Sequence, residues 1–243
     1  MNNSEFYNSL SSDYDDMINF ENSLKNKMES LKNFISPNYK TALDLGCGTG
    51  VDSIALYKLG LSVDAVDHSQ GMLEIAEKNA DKHESKINFI HSGLGELNLE
   101  NKSYDFIVSL GNTIANIDND ELNKLLANLK EHLNESGTIL IQLINYAKLP
   151  KNGEYILNKF KNENISIIRK YDIHSRFINF IIHKTDNGTD KETEIVTKLF
   201  PHSVNYFKSY AKENGFNIKL YGSLKKELFI EDTSKNLVIV LSK

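Results

Sequence analysis

The sequence predicts an α/β fold built on a mostly parallel sheet, with a smaller antiparallel sheet inserted late in the chain. Three observations carry this reading. Between residues 41 and 146 short apolar runs alternate with stretches of helical spacing, the pattern of strand–helix–strand units. The first apolar run closes on an acid and opens into three glycines at alternate positions. From 147 to 200 the pattern turns to β-type runs, before one more helix and two more strands. A chain of 243 residues buries a full core as one large domain with an elaboration.

The elements follow in order. Met17, Ile18, Phe20, Leu24, Met28, Leu31, Phe34 and Ile35 recur at spacings of three and four, and Pro37 follows, so a leading helix is expected. Ahead of it Phe6, Tyr7 and the polar stretch 11–16 form an arm in which Tyr14 stands out. Strand 41–45 feeds a helix from 51 to about 60, and strand 62–67 feeds a helix over about 70–82. A third strand covers 86–91 and a fourth 104–109. Leu122, Leu125, Leu126, Leu129 and Leu133 place a helix within 117–135. Gly137 then introduces 138–146, almost wholly apolar and so buried on both faces. Runs at 165–168, 176–182 and 192–197, with Asp186-Asn187-Gly188-Thr189 as a turn, make the inserted sheet. Val204, Phe207, Tyr210 and Ala211 lie on a helix capped by Gly215, and strands 216–221 and 236–241 end the pattern.

The chemistry gathers at the strand ends. In Ala42-Leu43-Asp44-Leu45-Gly46-Cys47-Gly48-Thr49-Gly50 the glycines let the chain turn tightly, so that backbone N–H groups and the next helix N-terminus face a ligand. A dinucleotide site wants G-x-G-x-x-G, whereas this order is G-x-G-x-G with an acid two residues ahead, which suits a ligand bearing an amine and no phosphate. Asp67 ends the second strand, 17 residues after Gly50, where an acid accepts two hydrogen bonds from a diol; the alternative is a cap on the helix that follows Ser69. His68 adjoins it, and Met72 lies one turn into that helix, as ligand contact or as plain core. Gly93 and Leu94 follow the third strand, Leu110, Gly111 and Asn112 the fourth, and Asn145-Tyr146 the fifth.

Residues 43–50 resemble the first motif of class I S-adenosylmethionine-dependent methyltransferases. The resemblance covers 40–146 well and 200–243 in pattern. It implies a Rossmann-like seven-stranded methyltransferase sheet of strand order 3-2-1-4-5-7-6 with strand 7 antiparallel, an N-terminal helical arm over 1–40, a core of 41–146 with 201–243, and an antiparallel β cap over 147–200. It implies S-adenosylmethionine as cofactor, held by Asp44, Gly46, Cys47, Gly48, Gly50, Asp67, His68, Met72, Gly93, Leu94, Leu110 and Gly111. The reaction it implies is direct in-line methyl transfer to an amine or hydroxyl, with Asn112, Tyr146 and Tyr14 at the acceptor, the arm closing over the site. Within the class the likeness leans towards glycine and sarcosine N-methyltransferases, through 47–54, 62–63, 66–67, 110–112 and Asn145-Tyr146. That family carries an arginine before the Asn-Tyr pair, where this chain has Ile144, and class I enzymes often carry an acid or amide where this chain has Leu94. The Pro-Pro-Tyr loop of many enzymes methylating nucleobase or glutamine amino groups is absent after strand four.

Composition narrows the partners. A net charge of −5 gives little electrostatic hold on nucleic acid, so a small-molecule acceptor is expected. Arg169 and Arg176 are the only arginines, hence the only donors for a bidentate clamp on an anion. The lone Cys47 reads as a small packing residue, excludes an internal disulfide and any multi-cysteine metal site, and fits a reducing compartment. The histidines lack metal-ligand spacing, so no metal is expected. No leader-like n- and h-region and no apolar run near 18 residues is evident, so a cytoplasmic location without membrane contact is expected; monomer and homodimer both stay open. Two other classes stand beside the enzyme reading: a nicotinamide- or flavin-binding oxidoreductase, and a non-catalytic S-adenosylmethionine-binding protein.

Overall fold

The computed structural model describes residues 3–243, so the first two residues of the expected arm lie outside it. Seven strands form the main sheet: β1 (Thr41–Leu45), β2 (Ser62–Asp67), β3 (Ile87–His91), β4 (Tyr104–Ser109), β5 (Leu133–Ile144), β10 (Asn217–Tyr221) and β11 (Asn236–Ser242). Their order is β10-β11-β5-β4-β1-β2-β3. β11 runs antiparallel to both neighbours, while β1 to β5 pair in parallel. This is the expected Rossmann-like order with one antiparallel strand.

Alternation along the strands builds two cores. In β4 Ile107 joins one cluster while Phe106 and Val108 join the other; in β5 Ile139, Ile141 and Leu143 oppose Leu140. The first cluster is closed by Leu122, Leu125 and Leu129 of α5 (Asn119–Glu131) and Phe207 of α6 (Val204–Asn214). Phe20, Leu24 and Leu31 of α2 (Phe20–Leu31) and Ile54 to Leu56 of α3 (Val51–Lys58) close the second. Helix α4 (Gln70–Lys82) begins at Ser69, whose hydroxyl accepts the Met72 N–H at 3.1 Å, and α5 begins at a reciprocal Asp118–Glu121 cap.

The inserted sheet has four antiparallel strands, β6 (Gly153–Lys161), β7 (Ile165–Ile173), β8 (Ile178–Asp186) and β9 (Glu192–Leu199). Its turn forms where the sequence placed it: the Asp186 carboxylate accepts the N–H groups of Gly188 and Thr189 at 3.1 and 2.8 Å. β6 escaped the pattern reading because, as an edge strand exposed on most positions of both faces, it carries no apolar alternation.

Two further boundaries differ from expectation. The leading helix is two helices, α1 (Asn3–Ile18) and α2, broken at Asn19, which sits at φ 51°. α1 includes the polar stretch 11–16 because Phe6 and Leu10, fully buried, pack with Met72 and with Ile165, Ile167, Ile182 and Ile195 of the cap; packing overrides weak propensity there. Leu133, read as the last apolar position of the preceding helix, instead opens β5, with a register shift against β4 between Tyr104 and Phe106.

Candidate active site

The glycine turn is pinned from behind. The N–H groups of Gly46 and Cys47 both donate to the Val66 carbonyl, at 2.7 and 2.9 Å, which ties the end of β1 to the end of β2. Gly46, Gly48 and Gly50 all have positive φ, and a Cβ at Gly46 would collide with the Thr113 side chain, so this path excludes larger residues. Gly50 begins α3 packed against Ala76 of α4 and lines none of the three cavities that open beyond the strand ends.

Three cavities with shared walls open beyond the strand ends. The largest, about 520 Å³, is lined by Gly46, Asp67, His68, Gly93, Leu94, Glu96, Thr113, Asn116 and Glu121, among others. A second, about 230 Å³, shares Gly46, Asp67, His68, Thr113 and Asn116 with it and adds Cys47, Gly48, Thr49, Met72, Leu110, Gly111, Tyr7 and Tyr14. The third, about 300 Å³, shares Tyr7, Tyr14 and Gly111 with the second and runs under the cap to Asn112, Ile144, Arg169 and Tyr171.

Asp67 is the hinge of the first two. Its carboxylate accepts the Gly48 N–H at 2.8 Å and the Ser69 N–H at 2.9 Å while the residue is only 6 % exposed. An ionised carboxylate offers about four acceptor positions, so roughly half remain for whatever fills the two cavities. The N-cap of α4 is Ser69 rather than Asp67. His68 lies edge-on to Tyr7, and its Nδ1 is 3.5 Å from Asp67. Met72 lines the second cavity, but the cap isoleucines and α1 hold it as core.

Asp44 departs from expectation. It lines neither cavity and sits behind the turn, accepting the Ser53 hydroxyl at 2.6 Å. Burial, then the charge of Asp52, push its carboxyl well above the usual carboxylate range. Asp52 is itself paired with Lys27 at 2.7 Å.

The loops after β4 and β5 are locked together. Asn112, at φ 76°, accepts the Ile144 N–H at 3.0 Å and donates its amide to the Tyr146 hydroxyl at 2.8 Å. Tyr146 thus supports Asn112 from the side. Asn145 is buried and donates to the carbonyls of Glu231 and Ser234, so it anchors the β10–β11 loop instead of facing a ligand. Tyr14 reaches over Gly48, 4.0 Å from where a Cβ would stand. Burial raises the phenols of Tyr7, Tyr14, Tyr146 and Tyr171, so all four stay protonated hydrogen-bonding groups near neutrality.

No group of His, Cys, Asp and Glu suited to a metal occurs among the described residues. Buried His202 bridges the carbonyls of Ile114 and Ile117, both at 3.0 Å, and burial lowers its pKa. Cys47 is buried, and burial pushes its thiol up.

Several lining residues were invisible to the sequence reading. Tyr7 and Asn116 are 109 positions apart, yet the Asn116 amide donates to the Tyr7 hydroxyl at 3.4 Å. Glu121, in the first turn of α5, and Glu96, two residues beyond Leu94, both line the 520 Å³ cavity.

Comparison with known proteins bears on this architecture. Residues 42–137 match a family model described as a methyltransferase domain. A ribosomal protein L11 methyltransferase from Campylobacter fetus is 39 % identical over 121 residues, 50 % of this chain and 40 % of that protein. The chain thus spans about two fifths of the length of the curated relatives it matches first. A Clostridium acetobutylicum S-adenosylmethionine-dependent methyltransferase structure superposes with a TM-score of 0.78 at 20 % identity, over 97 % of this chain and 98 % of that one. An S-adenosylmethionine-bound amino pentose methyltransferase from Micromonospora echinaspora superposes with a TM-score of 0.71 at 13 % identity, over 92 % and 91 %. Residues 42–137 of the chain are thus similar to a methyltransferase domain. Sheet order and cap together give the chain the fold of these S-adenosylmethionine-dependent enzymes.

Proposed function

We propose that this chain transfers a methyl group from S-adenosylmethionine to an amine or hydroxyl of a small molecule held in the 300 Å³ cavity. The observation that carries the reading is the shared wall. Tyr14, Tyr7 and Gly111 line both the cavity beside the glycine turn and the one beneath the cap, so two ligands bound there meet at these residues. The cofactor also fits the residues present. The Thr49 hydroxyl is buried in the second cavity without a hydrogen-bond partner among the described residues, and Asp67 keeps free acceptor positions.

S-adenosylmethionine supplies an already activated methyl group on its sulfonium. The protein's own task is then positioning, a contribution of about 7–11 kcal/mol for well-oriented reactants. Asp67 takes the ribose hydroxyls, Gly93 and Leu94 present backbone and an apolar face to the base with Glu96 and Glu121 nearby, and Leu110 and Gly111 line the methionine side. Asn112, braced by Tyr146 and by Ile144 N–H, orients the acceptor. The protonated tyrosines donate hydrogen bonds and take no proton, so a neutral amine suits the site better than a group needing a strong base.

The amino pentose enzyme has a small-molecule acceptor, which agrees with this reading, whereas the L11 relative modifies a protein. The cap and α1 enclose the third cavity, which favours the small acceptor. Free glycine is disfavoured, because Ile144 stands where the resemblance implies a carboxylate-binding arginine. The test supplies methyl-labelled S-adenosylmethionine to the purified chain with a cell extract split into metabolite, protein and RNA fractions. Label in the metabolite fraction is expected. Label only in protein or RNA overturns the acceptor class, and cofactor binding with no transfer to any fraction favours the non-catalytic reading.

A further inference from the structure

Among the residues lining the third cavity there is one cation, Arg169 on β7, and no carboxylate. Acids outnumber basic residues in this chain, 33 to 28, and lysines elsewhere find them: Lys27 pairs with Asp52, Lys102 with Asp64 and Lys170, the next residue, with Glu154. Arg169 forms no ion pair among the described residues. Its Nε–H donates to Asn158 Oδ1 at 2.6 Å, which fixes the guanidinium plane and leaves the two terminal amino groups for other acceptors. A half-buried guanidinium without a counter-ion in a wall of Tyr7, Tyr14, Tyr171, Phe180 and Leu157 is unfavourable until an anion arrives. Arg176, by contrast, lies exposed at the β7–β8 turn, outside the cavity.

We infer that the methyl acceptor carries an anionic group, a carboxylate or a phosphate monoester, and that Arg169 binds it and sets acceptor specificity. The inference rests on the methyltransferase reading and adds the acceptor's chemical class. A volume of about 300 Å³ corresponds, at roughly 30 Å³ per water-sized unit, to a molecule on the order of ten such units. That is room for an aromatic or branched acid, larger than glycine. The planar fork of arginine matches a carboxylate or phosphate edge with two parallel hydrogen bonds, a geometry lysine does not reproduce.

The test uses the full chain saturated with S-adenosylhomocysteine. Calorimetric titration compares 4-aminobenzoate with 4-aminobenzamide, and phenyl phosphate with phenol, for the wild type, Arg169→Met and Arg169→Lys. The wild type is expected to bind at least one anion tenfold or more tightly than its neutral partner. Which pair shows the larger ratio distinguishes carboxylate from phosphate. Arg169→Met should bring that ratio to within about twofold of unity, with Arg169→Lys in between and S-adenosylhomocysteine affinity unchanged in both. Neutral partners binding as well as the anions, a ratio that survives Arg169→Met, or no anion binding to the wild type each overturns the inference. A failed S-adenosylhomocysteine titration points instead at the cofactor reading on which it rests.

Discussion

Asp67→Ala tests the cofactor side of the site most informatively, because the residue serves two ends at once. In the free protein its carboxylate holds the N–H groups of Gly48 and Ser69, at 2.8 and 2.9 Å, and so fixes the glycine turn against the start of α4. Alanine leaves both donors without that partner in a nearly closed environment, a cost of about 1–3 kcal/mol per group if no water replaces it. For a chain of this size that is a fall of several degrees in melting temperature, at about 2–4 °C per kcal/mol. Loss of the proposed ribose contact should cost about 1–3 kcal/mol of binding, roughly 5- to 160-fold in dissociation constant. Asp67→Asn separates the two effects: its single amide oxygen keeps one backbone N–H, so the fold recovers more than the affinity does. Calorimetry with S-adenosylhomocysteine and a melting curve on each variant give both numbers. Unchanged affinity in Asp67→Ala refutes the ribose assignment, and unchanged melting temperature refutes the structural half.

Other outcomes follow from the same geometry. Gly46→Ala puts a Cβ into Thr113 at a positive φ, so a loss of about 2 kcal/mol or more is expected in thermal or urea unfolding, and Thr113→Ser added to it should restore part of that loss. Because burial raises the Asp44 pKa, the native state holds a proton the unfolded chain releases at lower pH, and stability from this group falls as pH rises from about 4 towards neutrality. The melting temperature of Asp44→Asn relative to wild type should therefore climb across that range; a constant difference contradicts the raised carboxyl. Asn112→Gly, chosen because φ is 76°, removes the brace to Ile144 and Tyr146 without backbone strain and should lower kcat/KM for the acceptor by about tenfold or more, with S-adenosylhomocysteine affinity within twofold of wild type.

The parts legible in the sequence were those whose cause is local. The bounds of β2, β4 and α4 coincide with the sequence reading because each is a buried run or apolar stripe between turn signals. The glycine turn and Asp67 were legible for the same reason, being consecutive residues at a strand end. What was missed is set by tertiary contact. Nothing around Asn19 announces a helix break, and only the two packing directions of α1 and α2, onto the cap and onto the main sheet, require one. Leu133 keeps helical spacing with Leu129 yet enters the sheet. Thr113 is needed to understand Gly46, and Tyr7 to understand Asn116, but neither pairing has a signature in spacing. Asp44, read from motif position as a ligand contact, is drawn behind the turn by Ser53, nine residues on.

A crystal structure of the chain with S-adenosylhomocysteine would show where the ribose and the sulfur lie. The ribose hydroxyls are expected within about 3.2 Å of the Asp67 carboxylate, with the sulfur beside Gly111 and facing the cavity that holds Asn112 and Arg169. A ligand seated elsewhere, or a sulfur turned away from that cavity with Asp67 bound only to Gly48 and Ser69, contradicts that placement.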